Sequence, residues 1–97
     1  MTLEETKKEI KKIVFRHISP KEYKVFLYGS RVAGGARKWS DYDVGIWGKR
    51  PIPTMVKFEI EDELENSDLP VVVEVVDFCN VGEGFKQLAM QRVEQWQ

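Results

Sequence analysis

Val25-Phe26-Leu27-Tyr28-Gly29-Ser30 and, after ten intervening residues, Asp41-Tyr42-Asp43-Val44-Gly45-Ile46-Trp47 decide how this chain folds. The first stretch is a short apolar run that ends on glycine, the pattern of a buried strand entering a turn. The second alternates strictly. Tyr42, Val44 and Ile46 fall on one face of a strand, and Asp43, Gly45 and Trp47 on the other. The segment between them, residues 30–40, is polar and carries Gly34-Gly35, so it reads as a loop or short helix.

Working outward, Thr2-x-x-Glu5 has the spacing of a capping box, and Leu3, Ile10, Ile13, Val14 and Ile18 follow at helical intervals until Ser19-Pro20. On the other side, Pro51 and Pro53 break the second strand and open a helix carrying Val56, Ile60 and Leu64. Asn66-Ser67-Asp68 supplies a turn. The β-branched run from Val71 to Phe78 is expected to be a central strand. Phe85, Leu88, Ala89, Val93 and Trp96 mark one face of a last helix. The expected order is α-β-α-β-α-β-α, an α/β (α+β) fold with a small three-stranded mixed sheet flanked by helices. Residues 1–97 are expected to form a single domain.

The overall balance narrows the partners. Sixteen acidic residues face fifteen basic ones, so no bulk positive field favours direct nucleic-acid binding. The single cysteine, Cys79, excludes an internal disulfide and a cysteine metal cage, and suits a reducing cytoplasm. No apolar run is long enough to cross a bilayer, and the acidic, lysine-rich start lacks a secretory pattern. A cytoplasmic protein is expected.

Two features point to phosphate chemistry. A glycine leaving a strand lets backbone approach a ligand closely, and exposed N–H groups with the Ser30 hydroxyl can cradle phosphate oxygens. Asp41 and Asp43, two apart on a strand, leave the same face about 6–7 Å apart. Paired hard carboxylates suit Mg²⁺, which takes its other ligands from water and phosphates, and Mn²⁺ would accept the same oxygens.

Phe26-Leu27-Tyr28-Gly29-Ser30-Arg31, followed by Trp39-Ser40-Asp41-Tyr42-Asp43-Val44-Gly45-Ile46, resembles the nucleotidyltransferase superfamily that includes DNA polymerase beta. More narrowly, the chain is similar to the minimal nucleotidyltransferases, small prokaryotic proteins paired with a HEPN-domain partner as antitoxin and toxin. The resemblance implies a third carboxylate on a later strand. Val73-Glu74-Val75-Val76 nominates Glu74, where the family pattern carries aspartate. Asp77 is the competitor, but three residues on, strand alternation turns it to the opposite face. A carboxylate inside so apolar a run is expected to need a partner.

The resemblance further implies Asp41, Asp43 and Glu74 as metal ligands and catalytic residues, with Gly29, Ser30 and Arg31 holding the nucleotide and Lys38 as a helper. ATP would be the substrate, and AMP would pass to a hydroxyl, typically a tyrosine, of the HEPN-domain partner. The alternative is a non-catalytic antitoxin that neutralises its partner by contact and keeps a vestigial nucleotide site. Nucleotidylation of a small molecule would call for an additional substrate-binding domain.

Simpler roles stand beside these. Trp39 and Trp47 could stack on a base but more often complete a core. Arg37, Lys38, Lys49 and Arg50 read individually as solvated charges. His17 reads as a surface or boundary residue and Cys79 as a small buried hydrophobe. The stripe from Phe85 to Trp96 is expected in the core, unless part of it stays exposed for a partner helix.

Overall fold

In the computed structural model the described residues are 2–29 and 42–96. Helix α1 (Leu3–Phe15) starts as its sequence dictates. The Thr2 hydroxyl accepts the Glu5 N–H at 3.1 Å while the Glu5 carboxylate accepts the Thr2 N–H at 3.0 Å. Those hydrogen bonds hold the Glu5 carboxyl below its ordinary value. Strand β1 (Tyr23–Tyr28) follows, then β2 (Tyr42–Gly48) and helix α2 (Thr54–Glu65), which begins immediately after Pro53. Strand β3 (Val73–Asp77), helix α3 (Glu83–Ala89) and the two-residue strand β4 (Glu94–Gln95) complete the described chain.

The four strands form one mixed sheet in the order β3-β2-β1-β4. β1 runs antiparallel to β2 and β4, and β3 runs parallel to β2. This mixed α+β arrangement corrects two expectations. Among the described residues the sheet has four strands, not three, because the expected last helix stops at Ala89 and Glu94–Gln95 pair with Leu27 and Phe26. Among the described residues β3 is an edge strand rather than a central one. Its β-branched residues satisfy one buried face and one neighbouring strand, which gives a pattern like that of a fully enclosed strand. The helix anticipated between β1 and β2 lies outside the described residues.

Alternation along β2 divides the molecule. Tyr42, Val44 and Ile46 are completely buried and meet Val25, Leu27 and Val75 under α1 and α2, which contribute Ile10, Ile13, Val14, Ile60 and Leu64. Trp96, expected on a helix face with Val93, instead belongs to this layer, and its N–H donates to the Val25 carbonyl at 2.9 Å. Glu94 is fixed beside it by Lys7 at 2.9 Å and by the Trp96 indole N–H at 2.7 Å. Burial raises the Glu94 carboxyl, but these donors outweigh it and keep the group below its ordinary value.

The opposite face carries a smaller aromatic core of Phe26, Tyr28 and Phe78, backed by Val76, Val81, Ala89, Met90 and Val93. Gly45 makes it possible. A side chain there would strike the Phe26 and Phe78 rings, which meet edge to face at 4.8 Å.

His17 and Arg16 close the far end of the helical layer on Glu63, with His17 Nε2 2.7 Å from Glu63 Oε1. Cys79 is half-buried, its thiol donating to the Gly48 carbonyl at 3.1 Å.

Asp77 is only 6% exposed. It accepts the Ile52 N–H at 2.8 Å and the Cys79 N–H at 3.0 Å, fixing the entry to α2 and the turn after β3. Replacing Asp77 by alanine leaves those buried donors without acceptors. Urea denaturation of Asp77→Ala is expected to register a loss of about 1–3 kcal/mol; an unchanged midpoint would show that the carboxylate carries no such role.

Candidate functional site

The residue opposite Asp43 on β1 is Tyr28, and the residue opposite it on β3 is Glu74. Paired positions in a sheet send their side chains to the same face. Tyr28, Asp43 and Glu74 therefore form one row across three strands, on the face away from α1 and α2. Tyr28 is buried among the aromatic side chains, Asp43 is half-buried and Glu74 is exposed. The polarity of the row rises towards the sheet edge.

The exposure of Glu74 corrects the burial inferred from its apolar neighbours. On an edge strand the carboxylate reaches water and needs no partner to be tolerated. Its alignment with Asp43 comes from the register of β2 and β3, not from desolvation. Asp77 lies on the opposite face, bound to the backbone at Ile52 and Cys79, and takes no place in the row.

Gly29 ends β1 beside this row with φ at +84°, the left-handed region that disfavours residues with a Cβ. A Cβ there would also collide with the Asp43 carboxylate, its Cγ 3.3 Å away and its Oδ2 nearer still. Glycine thus lets the turn after β1 approach the acidic row closely, placing backbone beside carboxylate. Ser30, Arg31 and Asp41 lie outside the described residues, as do Arg37, Lys38 and Trp39.

Among the described residues no group of three or more His, Cys, Asp or Glu side chains converges on a metal position. Asp43 and Glu74 nevertheless supply an oxygen-only donor pair on neighbouring strands, which fits a hard divalent cation that completes its shell with phosphate oxygens and water. The electrostatic mark of the pair falls on Tyr28. Burial, and then the charges of Asp43 and Glu74, push its phenol up to about 12.

Trp47 shares the Asp43 face but sits two strand repeats away. Lys86 Nζ lies 4.7 Å from its ring centroid and Phe78 packs beside it, so this indole is a packing residue. Lys49 and Arg50 are exposed.

Sequence reading missed two features. Tyr28 enters the row only through antiparallel pairing with Asp43, which no local spacing reveals. The second is a cavity of about 310 Å³ beside Gly29, bounded by Tyr28, Phe85, Leu88, Gln91 and Arg92. Phe85 and Leu88 were expected in the core, yet they are 45% and 70% exposed and help to line this cavity. Their helical spacing signalled an apolar face without indicating whether anything covers it.

Comparison with known proteins agrees with this architecture. The family model described as polymerase beta, nucleotidyltransferase matches residues 8–94. Over 79 residues the chain is 32% identical to the probable protein adenylyltransferase MntA of Haemophilus influenzae, covering 81% of this chain and 68% of that protein. The fold matches a chain from the complex of tri-AMPylated Shewanella oneidensis HEPN toxin with MNT antitoxin. There the TM-score is 0.73 at 21% identity, over 98% of this chain and 72% of that one. A toxin–antitoxin crystal structure with AMP-PNP matches with a TM-score of 0.71 at 25% identity, over 94% of this chain and 72% of that one.

Two measurements probe the row. Gly29→Ala is expected to lower unfolding stability by about 1–2 kcal/mol through the left-handed backbone alone, and further through the Asp43 collision. Adding Asp43→Ala should return part of that loss in a double-mutant cycle; strictly additive losses would place Asp43 away from Gly29. The second concerns Tyr28, whose folded pKa lies above its unfolded value. Its contribution is fully present below pH about 10 and is lost as pH rises through about 12. Tyr28→Phe cannot ionise, so its stability relative to the unaltered chain should rise across that window by on the order of 2 kcal/mol. A constant difference in pH-dependent melts would contradict the assignment.

Proposed function

This chain belongs to the polymerase beta family of nucleotidyltransferases, and we propose that it transfers AMP from ATP to a hydroxyl of a HEPN-domain partner protein, as the antitoxin of a toxin–antitoxin pair. The observation that carries the reading is the in-register placement of Asp43 and Glu74 beside the left-handed turn at Gly29. The likeness to a probable protein adenylyltransferase, and to complexes of HEPN toxin with MNT antitoxin, supports it.

The sequence motif alone assigns the phosphate oxygens of ATP to the backbone after Gly29 and to the Ser30 hydroxyl, with Arg31 countering their charge. Asp43 and Glu74, with Asp41 assigned by the sequence motif alone, would hold Mg²⁺. When bound, the ion supplies charge neutralisation at the triphosphate and a lowered barrier to attack. The acceptor oxygen attacks the α-phosphorus, the bond from that phosphorus to the bridging oxygen breaks, and pyrophosphate leaves in line. The acceptor proton passes to the Glu74 carboxylate, whose exposure on the sheet edge leaves it accessible to a partner protein's side chain.

Glutamate at position 74 reaches about 1.5 Å further than aspartate. An edge strand accommodates that difference more easily than a central one, because only one neighbouring strand constrains it. The second reading, neutralisation by contact with a vestigial nucleotide site, draws support from the exposed Phe85 and Leu88.

Transfer of label from α-labelled ATP to the co-purified partner, with Mg²⁺ and then with a chelator, separates the two. Asp43→Asn and Glu74→Ala are each expected to lower labelling about a hundredfold or more, and Glu74→Asp to retain more activity than Glu74→Ala. Undiminished labelling in Asp43→Asn would overturn the assignment. A partner that is never labelled, yet stays neutralised by Asp43→Asn, would establish the contact mechanism.

A further inference from the structure

The outer side of β3 lies directly beyond Glu74. On the inner side the Val72 carbonyl accepts the Tyr42 N–H, and the Phe78 N–H donates to the Ile46 carbonyl, each at 2.9 Å. Residues that bond to a neighbouring strand alternate with residues that face away from it. Val73 and Val75 therefore turn their N–H and C=O groups to the open side, where nothing among the described residues pairs with them. Beside it, between β3 and the end of α2, lies a groove of about 370 Å³ lined by Leu64, Leu69, Val71 and Val73, with Glu61 and Glu65. Unpaired backbone next to an apolar groove accepts an added strand, because main-chain hydrogen bonds hold it while alternate side chains enter the groove.

Position and charge choose the strand. Its side chains would alternate as those of β3 do. One set stands on the face of Tyr28, Asp43 and Glu74 and extends that row by a fourth position, about 4.8 Å beyond Glu74. The other set falls on the α2 side, where Val73 packs against the main apolar layer. A residue beside Glu74 thus carries its chain neighbour over the groove. A second copy of β3 would bring acidic edge against acidic edge, which like-charge repulsion opposes. Lys57 answers Glu61 at 3.7 Å, whereas Glu65 has no ion-pair partner among the described residues, so a basic segment suits this edge. Resting on the proposed adenylyl transfer, we infer that the partner's acceptor segment docks as an extended strand along β3. Its hydroxyl residue stands beside Glu74, an apolar neighbour enters the groove, and a lysine or arginine meets Glu65.

The test measures labelling of the purified partner from α-labelled ATP over a range of partner concentrations, beside calorimetric titration of ATP in Mg²⁺. Val73→Pro removes the outward N–H and leaves the ladder to β2 intact, a substitution that edge strands tolerate. Val73→Ala keeps that N–H and trims the groove. Val73→Pro should raise the KM for the partner about three- to tenfold above that of Val73→Ala, with ATP affinity unchanged. Glu65→Lys, at an exposed position ending α2, should raise that KM as well. Mass spectrometry should place the label on a hydroxyl residue with an apolar immediate neighbour. Equal KM values for the two Val73 variants would overturn the inference and leave the transfer standing. A labelled residue with charged neighbours on both sides would also overturn it, a readout that stands even where Val73→Pro fails to fold. Normal labelling by Val73→Pro, with loss of self-association in sedimentation, would give the edge to a second copy. A partner never labelled by the unaltered chain would remove the proposed transfer itself, and this inference with it.

Discussion

Strand β2 can bury Tyr42, Val44 and Ile46 only by turning Asp43, Gly45 and Trp47 to the other side of the sheet. Everything else follows from that division. Three fully buried side chains, each worth about 1.5–3 kcal/mol relative to exposure, hold the register, and slipping by one residue would carry Asp43 into the apolar layer. Because β1 and β3 pair on either side of β2, the fixed direction of Asp43 also sets the directions of Tyr28 and Glu74. The acidic row is thus maintained by hydrophobic packing on the face it does not occupy.

The same division explains how much is legible in the sequence. The alternation of residues 42–47 is local and strong, so both faces of β2 are readable from spacing alone. The opposite directions of Glu74 and Asp77 are readable too, because period-two alternation needs only their separation along the chain. The capping box at Thr2 and Glu5 forms as its spacing dictates. Less is legible where the outcome depends on which element lies alongside. β-branched residues at 71–76 announce a strand without indicating one neighbour or two, so an edge strand reads as central and Glu74 as enclosed. Val93 and Trp96 continue the helical spacing of Phe85 and Leu88. Pairing of residues 94–95 with β1 competes with that continuation and wins, aided by Lys7 and the Trp96 indole on Glu94.

The site divides along similar lines. Gly29 and Asp43 are readable from a turn and a strand, whereas the contact between them is tertiary. Glu74 is nominated by family resemblance, and its register with Asp43 supplies a physical reason for the choice that the apolar run could not. Tyr28 and the cavity beside Gly29 emerge only once β1, β2 and α3 are brought together.

The short strand β4 also bears on how the chain is made. β1 is synthesised well before β4, yet among the described residues one of its edges is closed by Glu94–Gln95 and by the Trp96 N–H. Until those residues have been synthesised, backbone groups of Val25 and Leu27 along that edge remain available to any other strand. Trp96 is likewise missing from the main apolar layer. The nascent chain can assemble its helices early, but its sheet closes late. Its period of greatest exposure to misassociation therefore lasts until residues 94–96 have emerged.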